Sequence, residues 1–256
     1  MKVRILIALI LVLVVYYDCQ SQVVRIKLEN CTVDKKTLSQ IQNALSYQLR
    51  FYAKVFNQPA DTSFRARVFG SEKEFVKWSK EHANYNPVRN HSIAYYDPTL
   101  NEMILHKEVP DFAKVFSHEV SHSILDHYCT GVSTWLHEGL AQFLEDVVAN
   151  DSAFYIAKTQ EPKIRKVEQL FDEGRSVKEP LTTKSFYEAP ALWRNYPLSF
   201  AVVLYLFQAK REVLAKLIRS DCEGAYDAIK ESYPEGLELL QLDVKSWFLN
   251  YQATVN

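Results

Sequence analysis

The sequence predicts an α+β protein, and three observations carry that expectation. Strand-like alternation collects in the first hundred residues, apolar residues at three- and four-residue spacing dominate the remainder, and no repeat or low-complexity segment interrupts either half. The composition agrees: 48% hydrophobic and 24% charged residues in a chain of 256 describe a globular protein. Those values exclude a disordered tail, a collagen-like fibre and a multi-span membrane protein. The length allows one large domain or two small ones. Thirty Lys and Arg against 31 Asp and Glu leave a net charge of −1, without the basic footprint that nucleic acid requires. Six glycines and no GxGxxG or GxxxxGKS/T string argue against nucleotide chemistry.

At the N-terminus, Lys2 and Arg4 precede an apolar run from Ile5 to Val15, shorter than the roughly 20 residues a bilayer core needs. A basic start before a short apolar run has the layout of a secretory signal peptide, with Cys19 and Ser21 as the small residues before a cleavage site. The expectation is a signal peptide over 1–21, an exported chain, and a domain over 22–256 that divides into 22–130 and 131–256. An uncleaved membrane anchor is the alternative. A lipoprotein signal at Cys19 is disfavoured, because Tyr16, Tyr17 and Asp18 stand where small residues belong. Cleavage leaves Cys31, Cys129 and Cys222, which permit at most one disulfide. Their spacings of 98 and 93 residues are unlike a zinc ribbon, and small buried hydrophobes are expected ahead of a disulfide. Asn30, Asn90 and Asn150 head N-x-S/T strings, which matter only in a eukaryotic secretory pathway.

VVRIKL from Val23 alternates as a strand does. Leu38, Ile41, Leu45, Leu49 and Tyr52 then mark a helix over Lys35 to Phe56. SFRARVFG reads as a strand, Ser71 to His82 as a short helix, and Asn84 to Asn90 as a polar loop. SIAYY and MILH form two strands joined by the turn residues Asp97, Pro98 and Asn101. Pro110 and Asp111 open a helix through about His127, and after Thr130-Gly131 a second runs from about Ser133 to Val148. Further helices are expected near 163–173, 195–218, 223–232 and 236–251, broken by Pro180, Pro190, Pro197 and Pro234.

Between the two halves stands His118-Glu119-Val120-Ser121-His122. Histidines four apart on a helix project from one face about a turn apart, close enough to share a metal ion, and the glutamate between them can hold a metal-bound water. Phe112, Val115, Phe116, Val120 and Ile124 supply the helical apolar stripe. The bland alternative is a solvated helix face that happens to carry two histidines. A catalytic zinc takes three protein ligands and leaves a fourth position to water. The next helix, Trp135-Leu136-His137-Glu138-Gly139-Leu140-Ala141-Gln142-Phe143-Leu144-Glu145, offers His137 and Glu138. Adjacent helical residues point about 100° apart, so only one of them faces the metal. The apolar residues of this helix do not choose between them.

HEVSH followed by WLHEGLAQFLE resembles the gluzincin metallopeptidases, most closely the peptidase-MA group. The resemblance implies a zincin-like fold: an N-terminal mixed sheet with helices, an active-site helix, and a mostly helical C-terminal part. It implies zinc as cofactor, peptide substrates, His118, His122 and Glu138 as ligands, and Glu119 as general base. Gly139 and Ala141 match small residues that let this helix pack close to the first. Tyr196-Pro197-Leu198-Ser199 is similar to the group's downstream Y-x-x-S segment. It nominates Tyr196 as a neutral donor to the developing oxyanion, with Ser199 as the alternative and Pro197 as a departure at the helix start. The resemblance spans about residues 60–251 and is specific at HEVSH and WLHEGLA. The resemblance also implies that the side chain four after Glu138 supports a zinc histidine; that position is Gln142, which can accept a hydrogen bond from an imidazole N–H but brings no charge. Asp126 is expected as a solvated carboxylate or a helix-end partner for His127, Glu145 as an exposed helix carboxylate, His137 as secondary, and His82, His91 and His106 as surface residues. SIAYY or MILH is expected to form the free sheet edge that receives an extended peptide. The competing reading is an inactive zincin-fold binding protein, which Glu119 opposes because a structural site needs no general base.

Overall fold

The computed structural model describes residues 12–16, 23–60, 63–90, 92–150, 153–156, 160–224 and 228–255. Lys2, Arg4, Cys19, Ser21 and His91 lie outside them. The expected α+β class is the class observed, in the order anticipated for a zincin-like chain: mixed sheet, then the helix carrying HEVSH, then a helical half.

The sheet has five strands in the order β1 (Val12–Tyr16), β2 (Val23–Glu29), β3 (Phe64–Phe69), β5 (Glu102–His106) and β4 (Ala94–Asp97). β2, β3 and β5 run parallel, while β1 and β4 close the two edges antiparallel to their neighbours. Crossovers explain the parallel core: α1 (Lys35–Phe56) joins β2 to β3, and α2 (Glu72–His82) with α3 (Pro87–Asn90) lies between β3 and the β4–β5 hairpin. All five residues of β5 are buried. Met103 and Leu105 enter the main core on one face, and Ile104 joins Phe69 and Phe75 under α2 on the other. A strand covered on both sides reads as a continuous apolar run, and MIL does. Of the two segments expected at a free edge, only SIAYY is there; MILH is interior.

Asp34 caps α1 by accepting from the Thr37 amide at 3.0 Å. Its buried face, Ile41, Leu45, Gln48, Tyr52 and Val55, packs on α4 (Phe112–Tyr128). α5 (Thr134–Leu144) ends earlier than the periodicity suggests, because Val147–Asn150 (β6) turns back on Ala153–Ile156 (β7) as a hairpin. α6 (Glu161–Asp172) and α7 (Lys178–Thr182) follow. The single helix expected over 195–218 is two, α8 (Leu192–Ala209) and α9 (Arg211–Cys222), separated at Lys210. Pro197 lies inside α8 rather than at its start. α10 (Ala228–Ser232) and α11 (Gly236–Val255) complete the chain. No helix among the described residues is long and apolar enough to cross a membrane.

Two further corrections concern side chains. Cys129 and Cys222 form a disulfide, leaving Cys31 free, so the expectation of three buried thiols fails. The bond fastens the C-terminal end of α4 to that of α9. Beside it, Asp221 accepts from the amide and hydroxyl of Ser133 at 2.7 and 2.8 Å, fixing the entry to α5. His106 is buried against the Phe75 ring rather than exposed.

Candidate metal centre

α4 is held from behind by α1. The Gln48 side-chain amide donates to the carbonyl and hydroxyl oxygens of Ser117, each at 2.8 Å, and the Tyr52 hydroxyl meets Ser121 at 2.8 Å. Residues four apart on one helix thus grip residues four apart on the other. The opposite side of α4 presents His118 and His122 towards α5. Glu138 projects from α5 between them: its Oε2 lies 3.3 Å from Nε2 of His118 and 3.6 Å from Nε2 of His122. The candidate ligand atoms of these three residues all fall within 4.8 Å of one another. Among the described residues Oε2 of Glu138 is buried without a hydrogen-bond partner. A buried carboxylate oxygen left unpaired beside two imidazole nitrogens is costly unless a cation joins them. Two nitrogens and one oxygen are the donor set zinc accepts, so the residues present fit that ion.

The flanking groups set the electrostatics. His118 turns Nδ1 to Oε2 of Glu145 at 2.6 Å. A carboxylate can only accept, so Nδ1 carries a ring proton, and in the neutral ring Nε2 is left as the nitrogen that can ligate a cation. Glu145 was expected in solvent, but Lys163 at 2.6 Å and Lys114 at 3.5 Å draw it inside, and both lysines also reach Asp146. Burial alone would raise its pKa, yet Lys163, His118 and Lys114 hold it at about 2. Gln142 supports neither ligand imidazole: Glu145 takes Nδ1 of His118, and Nδ1 of His122 has no hydrogen-bond partner among the described residues; the Gln142 backbone carbonyl accepts from Lys163. Burial opposes the charge of Glu138 also, and His122 and His118 outweigh it, keeping that carboxyl well below its usual range. For His118 burial opposes protonation, but Glu138 and Glu145 hold its pKa well above the ordinary value.

Glu119 lies on the same helix and is buried. Desolvation pushes its pKa up to about 7; His118 and His137 oppose this and Glu138 adds to it. A carboxyl poised there suits proton transfer at neutral pH. Asp126, also expected in solvent, bonds Nε2 of His137 at 3.1 Å, and the His137 ring stacks on His122. His137 therefore stands beside the cluster without adding a ligand atom to it.

The far wall comes from the segment before α8 and from α8 itself. The Tyr187 hydroxyl donates to Oε1 of Glu138 at 2.7 Å, a contact no sequence motif announced. Tyr196 packs edge-on against Phe186. Burial, followed by the charges of Glu138, Tyr187 and Glu119, drives its hydroxyl pKa far upward, so it stays protonated beside the two glutamates. Ser199 is fully buried, with its carbonyl against Gly139, which removes it from the reach of a substrate. Gly139 thus serves a close approach of α5 to α8, not to α4: a Cβ there would lie 2.8 Å from that carbonyl oxygen.

A family model described as "Protein of unknown function (DUF1570)" matches residues 113–224. No curated protein matches the chain in sequence. Among solved structures it is similar to an M1 zinc metallopeptidase from Deinococcus radiodurans, at 12% identity and a TM-score of 0.49, over 92% of this chain and 50% of that one. A point mutant of the same enzyme matches at 13% identity with the same TM-score and coverage. The chain spans about half the length of those enzymes.

Proposed function

We propose that the chain is an exported zinc metallopeptidase of gluzincin type, with His118, His122 and Glu138 as ligands and Glu119 as general base. The observation that carries this reading is the convergence of two imidazole nitrogens with a buried, unpaired carboxylate oxygen beside a glutamate whose pKa is about 7. The chemistry a zinc ion supplies in such a site is Lewis acidity towards a carbonyl oxygen and the attacking water. Glu119 takes the proton of that water and delivers it to the departing amine nitrogen. Tyr196, neutral at pH 7, donates a hydrogen bond to the negative charge that develops on the carbonyl oxygen. The substrate lies along β4, an edge strand against which α4 packs, and pairs with it through main-chain hydrogen bonds. The Cys129–Cys222 disulfide supports an oxidising compartment and with it the export reading; cleavage of a signal peptide after Ser21 would remove β1 and leave β2 as that edge of the sheet.

Zinc content and peptide cleavage, measured for wild type and Glu119→Gln, test the reading. Wild-type cleavage that disappears in Glu119→Gln with zinc retained supports it. Zinc without cleavage in the wild type transfers the case to an inactive zincin-fold binding protein, and absence of zinc ends both.

A further inference from the structure

We infer that His137 and Asp126 are a positioning pair that holds the His122 ring in its ligating orientation. The inference rests on the zinc-site reading above and concerns how one of its ligands is kept in place. A ligating imidazole ordinarily anchors its second nitrogen on a carboxylate or a backbone carbonyl, which fixes ring orientation. His118 does so through Glu145. His122 does not: its Nδ1 is buried and, among the described residues, has no hydrogen-bond partner.

What touches the His122 ring instead is another ring. His137 stacks on it with centroids 4.2 Å apart and planes inclined by 16°, while His118 stands edge-on at 4.8 Å and 84°. A flat neighbour on one side and an edge on another resist rotation of the His122 ring, which would drive its atoms into the His137 face. The stacking ring is itself fixed. Nε2 of His137 lies 3.1 Å from Oδ1 of Asp126, and because a carboxylate only accepts, His137 carries its proton there. Asp126 follows His122 by four residues on α4, so it projects from the same face one turn further on. His137 precedes Glu138 on α5, and their offset of about 100° turns one side chain to the cation position and the other along α4. The contacts close a circuit: α4 anchors His137 through Asp126, and His137 returns to brace His122 on α4. This circuit restrains the ring through its face, in place of the in-plane restraint that a hydrogen bond at Nδ1 would supply.

The test is zinc affinity by chelator competition, together with the visible spectrum of the cobalt-substituted protein, which reports ligand geometry independently of turnover. His137→Ala is expected to weaken zinc binding by about tenfold or more, the scale on which outer-shell partners of zinc ligands act, and to shift the cobalt bands. His137→Phe keeps a flat ring and should recover part of the loss. Asp126→Ala removes the anchor while keeping both rings and should weaken binding about threefold or more, with Asp126→Asn restoring it because an amide oxygen still accepts. Wild-type affinity and an unshifted cobalt spectrum in folded His137→Ala overturn the pairing. Should that variant not fold, wild-type behaviour of Asp126→Ala overturns it equally. A wild type that binds no zinc overturns the proposed function too, whereas a zinc-binding wild type with unaffected variants removes only the positioning pair.

Discussion

Gly139→Ala offers a direct test of how the two halves of the site are held at their spacing. The added Cβ would meet the Ser199 carbonyl oxygen at 2.8 Å, its carbon at 3.0 Å and a Val203 methyl at 3.0 Å. Two of these atoms are backbone, so no rotamer change relieves the overlap. Reaching ordinary contact at 3.4 Å requires α5 and α8 to separate by about 0.6 Å. Overpacking of this kind costs about 1–3 kcal/mol, and a backbone clash belongs in the upper part of that range. Alanine returns about 1 kcal/mol through its better helix propensity. The net loss is then about 1–2 kcal/mol, which for a chain of this size lowers Tm by roughly 2–8 °C. Function should fall as well, because α5 carries Glu138 and α8 carries Tyr196. A misplacement near 1 Å can cost about a hundredfold, so a shift of this size should lower kcat about tenfold. Thermal unfolding and peptide cleavage measure the two effects. Gly174→Ala is the control: its φ of +77° makes a side chain strained, yet nothing lies within 4 Å of the new Cβ. It should lower Tm while leaving kcat alone. A Gly139→Ala protein as stable as wild type would refute the close-approach argument.

Glu138→Ala should abolish zinc binding, whereas His137→Ala should still take up zinc at saturating concentrations; the reverse result in metal analysis would exchange their roles. Glu145→Ala removes the acceptor that fixes the His118 tautomer and should weaken zinc binding about 10- to 100-fold; unchanged affinity in a chelator titration would make Glu145 a merely structural acid. Tyr196→Phe should lower kcat at least about tenfold with zinc content and fold intact, and near-normal turnover would remove Tyr196 from the mechanism. A peptide analogue bound in a crystal should make main-chain hydrogen bonds to residues 94–97; its lying elsewhere would discard β4 as the docking strand.

The parts of this protein that were legible in its sequence are those governed by a single element's periodicity. Two histidines four apart share a helix face wherever that helix packs, and HEVSH could therefore be placed before any tertiary contact was known. The unbroken MIL run showed a strand, but that it is interior, and SIAYY the edge, depends on the order of strands in space. The β6–β7 hairpin was hidden because Val147 and Val148 continue an apolar pattern that propensity alone assigns to the helix before it. The Cys129–Cys222 bond joins residues 93 apart, and no local pattern connects them. Tyr187 reaches Glu138 from an irregular segment with no period to read.

Glu145 shows where such reading could have gone further. An acid at the end of an amphipathic helix suggests solvent, and the resemblance points to Gln142, four after Glu138, as an acceptor for an imidazole N–H. Seven residues, however, are almost two full turns of 3.6, so Glu145 returns to nearly the same face as Glu138, whereas an offset of four overshoots a single turn. The observed contacts follow that geometry: Glu138 approaches His118 at Nε2 and Glu145 takes Nδ1. One ring is bracketed by two carboxylates, one from α5 and one from its C-cap residue on the same stripe. What the spacing could not supply was the neutralisation of the second carboxylate, because Lys114 and Lys163 arrive from α4 and α6 only once those helices have packed. A buried acid is tolerable when its countercharges are buried with it, so the periodicity nominates Glu145 and the tertiary fold decides that it can be inside.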